Sequence, residues 1–93
     1  MPASSETRAE ATVVLPDGVD LHARPAAAFV RAAMGFGADV TVASGAREVN
    51  AKSLLSVLAL GAKAGSPLVL RADGADAAAA VDHLGALVTA LVE

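Results

Sequence analysis

Turn-forming residues break this chain at short intervals, and they limit the size of every element it can build. Pro16-Asp17-Gly18, Gly35 and Gly37, Ser44-Gly45, Gly61, Pro67 and Asp73-Gly74 separate segments that each carry their own periodicity. Ala11 to Leu15, ATVVL, is β-branched and stops at Pro16, which reads as a strand ending in a turn. Beyond Pro25, the residues Ala26, Phe29, Val30, Ala33 and Met34 recur at helical spacing and define one apolar face. Pro25 suits the first turn of that helix, because its missing N–H would have had no intrahelical partner there.

Asp39 to Ser44, DVTVAS, alternates with period two, and Ala46 to Val49 supplies the second arm of a hairpin across Ser44-Gly45. Leu54, Leu55, Val57 and Leu58 are too dense for an alternating strand. They predict a short helix capped at its start by the Ser53 hydroxyl and stopped by Gly61. Ser66 to Ala72 reads as a strand whose Pro67 points to an end or edge position. Asp76 is a good N-cap for a last helix with a stripe of Ala77, Ala80, Val81, Leu84, Leu87, Val88 and Leu91.

The order strand, helix, strand, strand, helix, strand, helix predicts an α+β domain with two layers. An antiparallel or mixed sheet would carry the helices on one face. At 93 residues the chain supports one small core, and with 55% hydrophobic but only 2% aromatic residues that core is built from small aliphatic side chains. The domain is expected over residues 11–93. Residues 1–10, MPASSETRAE, lack the apolar segment of a signal peptide and read as a disordered tail.

Several function classes fall away on composition. The formal charge is -3, Lys and Arg are scattered, and there is no Trp or Tyr to stack on bases, so nucleic acid is not an expected partner. The absence of Cys removes disulfides, thiolate chemistry and Cys-based metal sites. His22 and His83 lie far apart without ligand-pair spacing, so neither a metal nor a cofactor is expected. There is no Gly-rich phosphate loop and no nucleophile elbow. No apolar stretch approaches the roughly 20 residues needed to span a bilayer, and a cytoplasmic monomer without membrane insertion is the expectation.

What remains is His22, just ahead of a helix start. The first-turn amides of a helix have no intrahelical acceptors, and the helix dipole places partial positive charge beside them. An anion attached to His22 could be held there, as phosphate commonly is, and Arg24 adds a fork of donors that matches phosphate oxygens. Imidazole, with an unperturbed pKa of about 6.5, is nucleophilic near neutral pH. The arrangement suits reversible phosphorylation of His22. Equally, His and Arg are common in loops and Pro commonly opens helices, so spacing alone leaves an ordinary loop as open as a reactive one.

LHARPAA, Leu21 to Ala27, resembles the active-site signature of HPr, the histidine phosphocarrier family of the bacterial phosphoenolpyruvate-dependent sugar phosphotransferase system. VNAKSLLSVLALGAKAG, Val49 to Gly65, resembles that family's other signature region, which surrounds a regulatory serine. The two blocks are in register, and the resemblance covers about Ala11 to Val92. Asp20 is a departure, because the family usually has Gly before the Leu or Ile.

The resemblance implies an open-faced β-sandwich, with four antiparallel strands and three helices on one face. It also implies a carrier, not an enzyme: His22 takes a phosphoryl group on Nδ1 from phosphorylated enzyme I and passes it to a histidine of a sugar-specific IIA component, and Arg24 steadies the group. Ser53 matches the serine phosphorylated by a bifunctional kinase/phosphorylase in many Gram-positive relatives, although a capping role alone also accounts for a serine here. Leu54, Leu55 and Leu58 match a docking face, but the core competes for the same leucines and all three are not expected to be exposed together. Related readings are an HPr-like carrier in a nitrogen-regulatory or dihydroxyacetone kinase relay. A different class is a small-ligand regulatory module in which His22 is incidental, since fold alone does not assign function.

Overall fold

Among the described residues, seven elements occur in the predicted order: β1 (Arg8–Val14), α1 (Ala23–Met34), β2 (Asp39–Ser44), β3 (Arg47–Asn50), α2 (Leu54–Leu60), β4 (Pro67–Asp73) and α3 (Ala77–Thr89). The computed structural model describes residues 7–92. The strands form one sheet in the order β1-β4-β2-β3, and every neighbouring pair is antiparallel. Period-two alternation divides this sheet into two faces. Val40, Val42, Leu68, Leu70 and Ala72 point into the core, while Asp39, Arg71 and Asp73 point away from it. Phe29 of α1, Val57 of α2 and Leu84 of α3 join the same core, so the helices cover one face and leave the other open.

β1 begins earlier than its hydrophobic pattern indicates, so residues 8–10 of the expected tail are strand. Arg8, Ala9 and Glu10 belong to the sheet, with Arg8 opposite Asp73 and Glu10 opposite Arg71. Small Ala9 and Ala11 face inward beside Val13, which gives this edge strand little apolar signal until it pairs. Residues 1–6 of the expected tail lie outside the described residues. β4 runs between β1 and β2, so Pro67 marks a strand end and not an edge. Met34 leaves the apolar face predicted for it: it is 64% exposed, because Ala33 is the last buried residue before Gly35 ends α1.

On the open face Arg71 donates to Glu10 at 3.0 Å and to Glu48 at 3.1 Å. The Thr41 hydroxyl and then Arg71 hold Glu48 below the usual carboxylate range. These groups are solvent-exposed, so they order the face more than they stabilise it.

Asp76 stands at the N-cap position of α3, yet its carboxylate does not cap that helix. It reaches the turn after α1 instead, where Oδ2 accepts the Gly37 amide at 2.9 Å and Oδ1 accepts the Ala38 amide at 2.8 Å. Gly74 makes the approach feasible, because a Cβ there would lie 2.7 Å from the Ala38 Cα. The amides of Gly37 and then Ala38 hold Asp76 below its usual value of 3.8. A carboxyl depressed by folding stabilises the fold above its unfolded value, and that contribution disappears as pH falls through the folded value. Asp76→Asn is therefore expected to melt lower than the parent at neutral pH and to lose less stability on acidification from about pH 5 to pH 2. Melting curves across that range check this, and parallel pH profiles would refute it.

Candidate functional site

The loop between β1 and α1 is anchored before it turns outward. Leu21 is fully buried and donates its amide to the Ala62 carbonyl at 2.9 Å. His22 follows in extended backbone conformation (φ -149, ψ 173) at the N-cap position of α1; its side chain is exposed and makes no cap bond. Its amide donates to the Asp20 carbonyl at 2.9 Å. Ala23 then adopts φ 52, in the left-handed region that a residue with a Cβ adopts only at a cost. Pro25 and Ala26 are buried and tie the new helix to the core.

This path sets the donors available beside His22. Pro25 has no N–H, and the Ala26 amide donates to the His22 carbonyl at 3.4 Å. The amides of Ala23 and Arg24 have no hydrogen-bond acceptor among the described residues. Arg24 is exposed and forms no ion pair among those residues. His22, Ala23, Arg24, Pro25 and Val92 line a depression of about 320 Å³, with no Asp or Glu in its wall among the described residues. The first turn of α1 is likewise free of acidic residues. Partial positive charge at the helix end, a guanidinium and two unengaged amides thus surround an exposed imidazole. The predicted pair of His22 and Arg24 is brought together.

Ser53 is where the sequence places it. Its Oγ accepts the Ser56 amide at 3.3 Å and caps α2, with Gly61 closing that helix at φ 66. The leucines differ from expectation. Leu54, Leu55 and Leu58 are 42%, 81% and 37% exposed, whereas Val57 and Leu60 enter the core. A helix of two turns has room for one buried stripe, and residues 57 and 60 occupy it. The three leucines consequently form an apolar outer surface on α2, which packs against α1. His83 lies elsewhere, with its ring 5.7 Å from that of Phe36.

One contact near the site has only a faint trace in the sequence. Oδ1 of Asp20 accepts, at 2.8 Å, the amide of Ala64, which lies in the connection between α2 and β4. The unusual residue at position 20 is visible in the sequence; its partner depends on how that connection docks.

An exposed histidine at a helix start, with unengaged anion donors beside it, on an open-faced α+β sandwich, defines a small phosphoryl-carrying module. Comparison with known proteins supports that class and specifies it. Residues 9–90 match the model of the PTS HPr component phosphorylation site. Phosphocarrier protein HPr of Haemophilus influenzae is 45% identical over 71 residues, 76% of this chain and 84% of that protein. HPr of Streptomyces coelicolor is 51% identical over 69 residues, 73% of this chain and 74% of its own length. The crystal structure of HPr from Bacillus anthracis superposes with a TM-score of 0.83 at 34% identity, covering 87% of this chain and 96% of that one. The chain belongs to the HPr family, the phosphocarriers of the phosphotransferase system, and is a carrier rather than an enzyme.

Proposed function

We propose that His22 is the phosphoryl acceptor and donor of this carrier. In the first transfer the P–N bond of a phosphohistidine on enzyme I breaks as Nδ1 of His22 forms a new one. In the second, that bond breaks as a histidine of a sugar-specific IIA component takes the group. The observation that carries the reading is the shared depression lined by His22 and Arg24 at the start of α1, with the Ala23 and Arg24 amides unengaged. Those donors act on the equatorial oxygens, where charge must be stabilised during transfer. Among the described residues lining the depression, Arg24 is the only Lys, Arg, Asp or Glu. Because the site is open, the protein partners complete it and exclude water.

The exposed face of Leu54, Leu55 and Leu58 is the docking surface in this reading. A small apolar patch suits partners that must bind and leave quickly. Phosphorylation of Ser53 by a bifunctional kinase/phosphorylase would place a dianion next to those leucines. The helix dipole tolerates the charge at the N-terminus of α2, while desolvating it under a partner is costly, so the modification weakens docking without touching His22. The cytoplasm, where phosphoenolpyruvate is available, is the compartment this function requires.

Incubation with phosphoenolpyruvate and enzyme I, followed by intact mass measurement before and after mild acid, tests the proposal. A gain of one phosphoryl group that acid removes, mapped to the peptide containing His22, is expected. No gain with an enzyme I that phosphorylates another HPr, or an acid-stable gain, would overturn it.

A further inference from the structure

The residue two places before His22 grips a different part of the molecule from the helix that follows. Asp20 is half-buried; its carboxylate accepts the Ala64 amide at 2.8 Å and its carbonyl accepts the His22 amide at 2.9 Å. Adjacent Leu21 donates to the Ala62 carbonyl at 2.9 Å. Two neighbouring residues of the His22 loop are therefore bonded to one short stretch, which continues from the Gly61 end of α2.

We propose that Asp20 is a positioning residue for His22, stapling the phosphorylation loop to the connection between α2 and β4 through its side chain. The left-handed Ala23 shows why a staple is needed. A strained backbone persists only where its flanks are held. Pro25 and Ala26 hold the downstream side by burial, and the upstream side rests on Asp20 and Leu21. A glycine at position 20 would have no side chain to offer Ala64. The carboxylate does not line the depression beside His22, so its charge is engaged by an amide instead of opposing an incoming phosphoryl group. The same bonds link the His22 loop to α2, the helix that carries Ser53 and the exposed leucines.

The proposal rests on His22 as the acceptor, and its test separates the two. Amide hydrogen exchange by NMR is measured on wild type, Asp20→Ala and Asp20→Asn, together with steady-state phosphorylation by enzyme I. Asp20→Ala is expected to exchange the Ala64 and His22 amides about tenfold faster, the scale set by losing one hydrogen bond to a charged acceptor. The kcat of enzyme I with this variant as substrate should fall by a similar factor, with its KM for the carrier unchanged because the docking leucines are untouched. Asp20→Asn keeps an oxygen for Ala64 and should restore both within about twofold. Wild-type exchange and kcat in Asp20→Ala would overturn the positioning role, as would an Asn variant as impaired as the Ala variant. If wild type itself takes no phosphoryl group, the acceptor reading fails, and exchange at Ala64 and His22 alone decides the staple.

Discussion

His22→Ala is expected to gain no acid-labile phosphoryl group from enzyme I and phosphoenolpyruvate, and to melt within about 2 °C of the parent. The two halves of that expectation have separate causes. The imidazole is solvent-exposed, makes no cap bond and lies outside the core, so removing it leaves the packing intact. The chain has no cysteine and only one other histidine, His83, which sits against Phe36 and does not line the depression. No second nucleophile of the same chemistry is available at the site. Mass measurement and a thermal melt on the same preparation read both halves. An acid-labile phosphoryl group on the variant would move the acceptor to His83, and a large drop in melting temperature would show that the ring is a structural element.

Phe29→Ala is expected to act in the opposite way, lowering stability by about 3–5 kcal/mol while leaving the acceptor group untouched. Phe29 is fully buried, and it is the largest side chain in a core otherwise made of Leu, Val and Ala. Small aliphatic neighbours already in contact cannot expand to fill the space a ring leaves. Domains of this size hold about 5–15 kcal/mol in total, so the variant keeps a fraction of the margin. Denaturant unfolding followed by circular dichroism should show a lower midpoint with an unchanged slope. A shift worth less than about 1 kcal/mol would mean that the ring is not the centre of this core.

Much of this arrangement is legible along the chain, and the rest is not, for a common reason. Local periodicity and turn chemistry identify the element order, the Pro25 helix start with His22 ahead of it, and the Ser53 cap, because each depends on residues within one turn of the backbone. What escapes depends on distant partners. Arg8, Ala9 and Glu10 become strand only by pairing with β4, and Pro67 could not announce that β4 lies inside the sheet. Asp76 has the right residue type and place to cap α3, but the Gly37 and Ala38 amides come within its reach and win the carboxylate. Leu54, Leu55 and Leu58 look like core residues until the sheet shows which stripe of α2 it covers. Asp20 stands out by its type, and only the docked connection after α2 explains it.

The pairing of β1 with β4 also governs when the carrier comes into being. β1 is made before the other described elements, but among those elements its one neighbour in the sheet is β4, and Arg8 meets Asp73 across most of the chain. The β2–β3 hairpin and α1 can form from local contacts while synthesis continues, whereas the central strand arrives late and a non-local closure must wait for it. The two groups that anchor the loop before His22, the Ala62 carbonyl and the Ala64 amide, lie immediately ahead of that strand. A nascent chain therefore displays His22 before the two groups that anchor its loop have been placed, so the proposed acceptor gains its surroundings only when β4 closes the sheet.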